Sequence, residues 1–279
     1  MNRFRFAAPN FQLDANFRAG QVFRWRRDES GVWHGYEAGH AVKIWRETDT
    51  LEVESTLSED ATTAFLALET SADHLGHVPE IAHYLPAYRG MVILRPADPV
   101  ESLFSFLCAS NSNIRRIEQM VASLAGLSST PPHFPTIEQI ASTSEAHLRE
   151  IGLGYRARTI PLAAQELLRR GATQYLLDLR QASYEHAYAE LLSLPGVGPK
   201  LADCIAIYAL HQREAFPMDV HVWRAMTHTF RPELRDQPLT DRLRREIATD
   251  MRARFGPDTM LVQHVLFHMS LTGAITASA

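Results

Sequence analysis

The stretch LLSLPGVGPKLADC, residues 191–204, determines how the helical part of this chain is organised. One amphipathic segment ends at Leu192 and another begins near Lys200, and Pro195, Gly196 and Gly198 between them predict a tight turn. Such a turn exposes backbone N–H groups just before a helix N-terminus, an arrangement that binds anions such as a DNA phosphate. The alternative is a helix–helix turn that binds nothing.

The residues before this turn divide into a strand-rich part and a helical part. Residues 32–36, 41–45 and 51–53 are rich in β-branched and aromatic side chains, which predicts an antiparallel meander within residues 1 to about 60. From residue 59 to 68 the apolar period changes to that of a helix. Asp98, Pro99 and Glu101 then predict a helix start, with an N-cap, a first-turn proline and the acidic member of a capping box.

Helices are predicted for most of the remaining chain. They are expected at residues 103–108, 114–124, 137–141, 145–151, 159–170, 184–192, 200–210, 221–230, 240–255 and 258–271. The predicted fold class is therefore α+β: a small N-terminal antiparallel β-sheet region followed by a mainly α-helical body that contains a helix-hairpin-helix motif at about 184–210. We expect residues 1–97 to form the β domain with its flanking helices, and residues 98–279 to form the helical body.

The composition excludes several classes of protein. No apolar run approaches the roughly 20 residues that span a bilayer, and the start lacks the apolar core of a secretory signal, so we expect an intracellular chain without a membrane partner. Two cysteines, Cys108 and Cys204, are too few for a disulfide framework, an iron–sulfur cluster or a cysteine-rich zinc site. The net charge of −4 provides no general attraction to nucleic acid, so a DNA site must be a local basic patch.

Lysine is rare in this chain. Of the 28 basic residues only Lys43 and Lys200 are lysines. Arginine can provide surface charge and phosphate contacts, but only lysine is readily deprotonated to a nucleophilic amine. Lys200 lies at the predicted start of a helix, where the macrodipole disfavours the ammonium form, so we expect its pKa to be lowered. The alternative is a phosphate-binding lysine, a role that arginine would fill about as well.

Asp219 is a second candidate catalytic residue, nineteen positions after Lys200. Pro217 precedes it and helical periodicity follows, so Asp219 is predicted to be a helix N-cap. A carboxylate held in this way stays oriented and ionised. It could therefore stabilise the positive charge that develops on a sugar as its base departs.

The hairpin, Lys200 and Asp219 together resemble the helix-hairpin-helix, Gly/Pro-rich, Asp superfamily of base-excision glycosylases. Further blocks resemble the eukaryotic-type 8-oxoguanine DNA glycosylases: GQVFRWR at 20–26, residues 104–117, GLGYRAR at 152–158, the hairpin through Trp223, and QHVLF at 263–267. The resemblance extends from about residue 13 to 271. It implies a bifunctional glycosylase and AP lyase that excises 8-oxoguanine opposite cytosine from double-stranded DNA, with a Schiff base on Lys200, β-elimination, and Asp219 as the catalytic carboxylate.

The resemblance also implies how a base extruded from the duplex is recognised. Phe267 and Cys204 would sandwich the purine, Gln263 would bond its Watson–Crick edge, and the Gly20 carbonyl would accept the N7 proton that distinguishes 8-oxoguanine from guanine. Without that role, Phe267 and Cys204 are ordinary core residues and Gly20 a turn residue.

For the DNA around the base, the resemblance implies a second set of residues. Tyr155 would be a wedge beside the gap, Asn111, Arg116 and Arg156 would contact the estranged cytosine and nearby duplex, and His221 would contact a phosphate. Gly196 and Gly198 would present the hairpin backbone to the DNA. The alternative assigns these residues to turns, core and solvated charge.

The chain departs from the family pattern at Ser270, where an acidic residue often stands, and at Ser112, where asparagine is common. The first departure leaves open what orients His221. His264 and His268 lie four apart on a predicted helix, but no third ligand is evident, so we expect neither a metal nor another cofactor.

Two other functions remain open at this point. A monofunctional glycosylase for alkylated purines would not need Lys200, and a non-catalytic helix-hairpin-helix module would only bind DNA. We expect a monomer associated with DNA, in the cytoplasm or nucleoid if the source is a bacterium.

Overall fold

The computed structural model describes residues 1–275 and confirms the α+β architecture, with a small sheet followed by a helical body. The sheet has five strands: β1 Asn2–Ala7, β2 Arg26–Arg27, β3 Trp33–Glu37, β4 His40–Glu47 and β5 Thr50–Ser55. All neighbouring strands are antiparallel, in the order β1-β5-β4-β3-β2. The sheet therefore places β1 and β2 at opposite edges.

One face of the sheet packs on an aromatic core. Phe17 and Trp25 stack with ring centroids 4.4 Å apart, and Trp25 stacks on Phe65 at 5.6 Å. Ile44 and Val53, which pair across β4 and β5, are also buried in this cluster. The segment that links α1 to β2 is anchored through Trp25, and this anchoring positions the neighbouring residues 20–24.

The helical part begins in the first domain and continues to residue 271. The helices are α1 Leu13–Phe17, α2 Glu59–Leu66, α3 Pro99–Ala109, α4 Ile114–Ala125, α5 Ile137–Ser142, α6 Glu145–Glu150, α7 Arg156–Arg170, α8 Ala172–Gln181, α9 Tyr184–Leu192, α10 Pro199–Tyr208, α11 Val220–Thr229, α12 Asp241–Phe255 and α13 Thr259–Leu271. No helix within residues 1–275 is both long and apolar enough to cross a bilayer.

The start of α3 is only partly as predicted. The Asp98 side chain accepts hydrogen bonds from the N–H groups of Val100 and Glu101, so it is the N-cap. The capping box is wrong, because the Glu101 carboxylate instead pairs with Arg24 Nη1 at 2.9 Å. This ion pair connects α3 to the segment before β2.

A second, larger core fills the helical body and includes Leu75, Ile81 and Met91, which precede residue 97. The boundary between 97 and 98 stays a prediction. The two parts are also joined by the Gln21 side chain, whose Nε2 lies 3.1 Å from the Val92 carbonyl oxygen and 3.2 Å from His264 Nε2 on α13, while its Oε1 accepts from Leu94 N–H. Residues 20–24 are thereby held against α13.

Candidate active site

The hairpin lies between α9 and α10. Gly196 has a left-handed φ of +82°, and a Cβ placed there would lie 3.1 Å from Thr159 Cβ, so the turn requires glycine. Gly198 is the N-cap of α10, and no side chain caps the helix. A Cβ on Gly198 would meet no atom within 4 Å. The first N–H groups of α10 therefore face an open surface of bare backbone, as an anion site requires.

Lys200 and Asp219 come together at the starts of two helices. Lys200 is in the first turn of α10, and Asp219 is the N-cap of α11. Asp219 Oδ1 accepts from the N–H groups of His221 and Val222 at 3.0 and 3.1 Å. This arrangement leaves Oδ2 directed at Lys200 Nζ, 3.5 Å away.

The pKa of Lys200 is raised, which contradicts the lowering predicted from the helix macrodipole. The Cys204 sulfur and then the Asp219 carboxylate favour the ammonium form, and together they outweigh burial, which disfavours it. Burial raises the pKa of the Cys204 thiol to about 11. The resting site is therefore an ammonium–carboxylate pair, and Lys200 must lose a proton before it can act as a nucleophile.

An open cavity of about 610 Å³ adjoins this pair. It is large enough for a purine with part of its sugar, in the range of small-molecule sites. Seven of the predicted site residues line it: Gly20, Lys200, Cys204, Asp219, His221, Gln263 and Phe267. They come from the segment before β2 and from α10, α11 and α13, so distant parts of the chain form one site.

The predicted base-recognition residues present different chemistry to the cavity. Gly20 has a φ of +74°, a conformation that favours glycine, and the nearest atom to a Cβ built there is 3.8 Å away on Ile114. Gln263 is buried and donates from Nε2 to the Pro217 carbonyl oxygen at 2.9 Å, which fixes its amide beside Asp219. Cys204 is buried, and Phe267 remains partly exposed on α13.

His221 lies at the same cavity and is held by two contacts. Its ring meets the Phe267 ring edge-on, with centroids 5.8 Å apart and an interplanar angle of 80°. Its Nδ1 lies 3.3 Å from Ser270 Oγ. Ser270 therefore contacts His221 from the position where the family pattern has an acid.

The remaining predicted DNA-binding residues cluster around two loops. Tyr155, half-exposed, donates from its hydroxyl to the Ser110 carbonyl oxygen at 2.9 Å, and Arg116 Nη2 donates to the Gly152 carbonyl oxygen at 2.6 Å. Asn111 is exposed in a left-handed conformation with φ +47°. Asn111 follows α3, Arg116 lies in the first turn of α4 and Tyr155 precedes α7. The contact of these side chains with DNA stays a prediction.

Arg156 is not the solvated charge that the alternative interpretation assigned to it, and its contact with DNA stays a prediction. It is buried, donates to the Ser110 carbonyl oxygen and lies 4.5 Å from the centroid of the Tyr155 ring. Its Nε has no partner among the described residues. Arg156 thus connects the residue that follows α3, Ser110, to the ring of Tyr155.

The sequence interpretation missed an aromatic wall of the cavity. Phe106 stacks on Tyr208 with centroids 5.0 Å apart, and Phe23 meets Phe106 edge-on at 5.6 Å. Phe23 and Phe106 belong to the blocks at 20–26 and 104–117 that carry the family resemblance, and this membership could have identified them as cavity residues. Tyr208 lies in an apolar helix and had no distinguishing signal.

The two histidines of α13 do not form a metal site with a third ligand. Their ring centroids are 4.9 Å apart, and burial lowers the pKa of His268 to about 4. Within residues 1–275 no group of three His, Cys, Asp or Glu side chains could hold a metal ion. His264 contacts Gln21 instead.

Two family models match consecutive parts of this chain, and curated relatives match most of it. The model of the 8-oxoguanine DNA glycosylase N-terminal domain matches residues 3–103, and that of the HhH-GPD superfamily base excision DNA repair protein matches residues 104–249. The N-glycosylase/DNA lyase OGG1 of Arabidopsis thaliana is 33% identical over 278 residues, covering 91% of this chain and 76% of its own length.

Solved structures share the fold at lower identity. The Clostridium acetobutylicum 8-oxoguanine glycosylase/lyase, in complex with dsDNA containing cytosine opposite to 8-oxoG, has a TM-score of 0.84 at 21% identity and covers 99% of both chains. The 3-methyladenine DNA-glycosylase of Archaeoglobus fulgidus has a TM-score of 0.70 at 20% identity, covering 97% of this chain and 99% of its own. Because these neighbours act on different bases, the fold does not decide the substrate. The two family models and the Arabidopsis relative together establish that the chain belongs to the HhH-GPD superfamily of base excision DNA repair proteins.

Proposed function

We propose that this chain is a bifunctional DNA glycosylase and AP lyase that excises 8-oxoguanine opposite cytosine from duplex DNA. The observation that carries the proposal is the pair of Lys200 Nζ and Asp219 Oδ2, 3.5 Å apart beside a cavity of purine size. The Arabidopsis relative is named an N-glycosylase/DNA lyase, and the Clostridium neighbour acts on 8-oxoguanine. A repair enzyme of this kind acts on DNA inside the cell. In a bacterium that DNA is in the nucleoid.

The reaction requires Lys200 to change protonation state. Once Nζ has lost its proton, its lone pair forms a bond to C1′ as the bond from C1′ to the base breaks and the base leaves with that electron pair. Asp219 Oδ2 would stabilise the positive charge that develops on the sugar, and the two backbone hydrogen bonds to Oδ1 keep the carboxylate oriented. Ring opening then gives an imine on Lys200. A C2′ proton then passes to solvent, its C–H electron pair forms a C2′=C3′ double bond, and the C3′–O bond breaks with its electron pair leaving on the 3′ phosphate, which cuts the strand.

Base recognition would use four residues that line the same cavity as Lys200 and Asp219: Gly20, Cys204, Gln263 and Phe267. Cys204 and Phe267 would contact the two faces of the purine, and Gln263 has an Oε1 and a second N–H for its Watson–Crick edge. The Gly20 carbonyl would accept the N7 proton of 8-oxoguanine. Guanine lacks that proton, so a buried carbonyl facing it would stay unpaired, which discriminates against the undamaged base.

The duplex would be held by the hairpin and by the two loops beside it. The open N–H groups at Gly198 and the start of α10 would bind a phosphate, as would His221. Tyr155 would enter the gap left by the extruded nucleotide. Asn111 after α3, Arg116 in the first turn of α4 and Arg156 at the start of α7 would contact the estranged cytosine and the nearby duplex.

Borohydride trapping on a labelled duplex with one 8-oxoguanine opposite cytosine tests this proposal. We expect a covalent adduct with the parent chain and none with Lys200→Gln, because reduction makes the adduct permanent only where an amine has formed an imine with the sugar, and glutamine cannot form one. Lys43→Gln is the matched control, since Lys43 is the other lysine and pairs with Glu54 on the sheet, 3.7 Å away. This variant should form the adduct as the parent does.

Other outcomes would point to the alternatives. Full base release by Lys200→Gln, without strand cleavage, would favour the monofunctional enzyme. Binding without base release by the parent chain would favour the non-catalytic module. A duplex carrying an alkylated purine, assayed in parallel, separates the two damage classes.

A further inference from the structure

The Ser270 hydroxyl on α13 is a shared contact for two cationic or polar side chains of α11. His221 Nδ1 lies 3.3 Å from Ser270 Oγ, and Arg224 Nη1 donates to the same oxygen at 3.4 Å. Ser270 is 7% exposed, so its hydroxyl depends on protein partners. His221 and Arg224 are three residues apart on one helix and therefore project from one face.

The chemistry of a hydroxyl fits this arrangement. Ser270 Oγ accepts a hydrogen bond from the guanidinium and can donate its own proton to His221 Nδ1. That places the imidazole N–H on Nε2, the nitrogen that points away from Ser270. Ser270 thus contacts His221 through Nδ1 and Arg224 through Nη1. The N–H on His221 Nε2 and the other guanidinium N–H groups of Arg224 remain available to a ligand.

Serine holds Arg224 without neutralising it. Other arginines of this region face carboxylates, as Arg244 faces Asp241 at 3.7 Å and Arg231 faces Glu233 at 2.5 Å. Arg224 is exposed and, within residues 1–275, forms no ion pair. It is thus an uncompensated positive charge one helical turn from a residue that lines the cavity, in a chain with a net charge of −4.

We propose that Arg224 binds a backbone phosphate of the damaged strand beside the extruded nucleotide, together with His221, and that Ser270 positions both. The inference rests on the proposed function, because it needs DNA to be seated over the cavity. A DNA phosphate is the ligand that this pair of donors fits, since guanidinium and imidazole N–H groups both bond its oxygens. It makes Arg224 a binding residue and Ser270 a positioning residue.

The test is the salt dependence of binding, measured in the Lys200→Gln background so that the DNA is not consumed. The probe is a duplex with one 8-oxoguanine opposite cytosine. Loss of one phosphate contact lowers the slope of log K against log salt concentration by about 0.9. We therefore expect Arg224→Gln to lower the slope by about this amount and Arg224→Lys to retain it.

Arg3→Gln is the matched control for removing one arginine charge. Arg3 lies on β1, four strands from β2 across the sheet, about 19 Å at the usual strand spacing. Its slope should equal that of the background. Ser270→Ala removes no charge, so it should keep the slope and weaken binding roughly fivefold, as expected for a lost supporting hydrogen bond.

An unchanged slope in Arg224→Gln would overturn the inference. If the thermal unfolding midpoint of that variant were lowered as well, Arg224 would have a structural role instead. Failure of the proposed function gives a different result: the parent chain would not release 8-oxoguanine, and the background variant would bind damaged and undamaged duplexes alike. Release by the parent with an unchanged Arg224→Gln slope therefore rejects only the phosphate contact.

Discussion

Asp219 uses its two carboxylate oxygens for different tasks. Oδ1 accepts two backbone N–H groups at the start of α11, and Oδ2 faces Lys200. The N-cap role and the proposed catalytic role are therefore compatible in one side chain. A substitution that keeps Oδ1 and removes the charge can separate them.

Asp219→Asn should retain the fold and lose the chemistry. Asparagine caps helices about as well as aspartate, so we expect the free energy of unfolding to change by less than about 0.5 kcal/mol. Single-turnover base excision should fall by about 10²–10³, the usual effect of removing a preorganised charge. Thermal unfolding and excision of labelled 8-oxoguanine DNA measure the two effects. Asp219→Ala, which also removes the cap, should cost about 1 kcal/mol, and parent-like excision by Asp219→Asn would reject the catalytic role.

At the scale of the element, the hairpin contains two glycines with different tasks. Gly196 is required by the turn, because its φ is +82° and Thr159 is close. Gly198 has an ordinary backbone conformation and open space beside it. Substitutions at the two positions can therefore separate the folding of the hairpin from the DNA binding that we propose for it.

Gly196→Ala should destabilise the protein by about 1–3 kcal/mol, since alanine is strained in the left-handed region. Gly198→Ala should leave stability within about 1 kcal/mol but weaken DNA binding about tenfold, because its methyl group separates the phosphate from the first N–H groups of α10. Urea unfolding and a binding titration with duplex DNA give both quantities. Equal binding by Gly198→Ala and the parent would mean that the hairpin does not contact the backbone of the DNA.

Elements with strong local signals were predictable from the sequence. Helices α9 to α13 begin and end within two residues of the predicted bounds, because their caps, prolines and apolar periods are encoded locally. Helix α8 was missed, since it follows Gly171 in a left-handed conformation and no side chain caps its start.

The site was predictable where a residue type carries the chemistry, as for Lys200 beside Asp219. A property of the site was not predictable where it depends on a residue distant in sequence. The pKa of Lys200 depends on Cys204 and Asp219 as well as on the local helix dipole, so a local argument gave the wrong direction. Likewise, Ser110 gains its importance only because Tyr155 and Arg156 both donate to it across 45 and 46 positions.

At the scale of the whole molecule, Glu37 couples stability to pH. It is buried at the end of β3, and its Oε1 accepts from Ala97 N–H at 2.6 Å, just before α3. Burial raises its pKa from 4.5 to about 8. Between these values the unfolded chain has released this proton and the folded chain retains it, so stability falls as pH rises, by up to about 1.4 kcal/mol per pH unit.

Glu37→Gln should remove this dependence, because the amide keeps an acceptor for Ala97 N–H and cannot ionise. We expect the free energy of unfolding of the variant to exceed that of the parent by an amount that grows from about pH 5 to about pH 8, because only the parent is destabilised as Glu37 is driven to ionise. Urea unfolding at several pH values measures the difference. Glu47→Gln on β4, with a half-exposed side chain, is the control and should follow the parent. Parallel pH profiles for Glu37→Gln and the parent would contradict the assignment.

The contact between Gln21 and His264 joins residues 243 positions apart. The two walls of the cavity are thus among the first and the last parts of this sequence to leave a ribosome. A nascent chain that has emerged through α10 holds the hairpin and Lys200, yet α11 and α13, with Asp219, Gln263 and Phe267, are still to come. A chain that stops after α10 would have the hairpin proposed to bind DNA but not Asp219, the partner of Lys200. A chain that stops before α13 would have both of these residues but neither Gln263 nor Phe267, which are proposed to recognise the base.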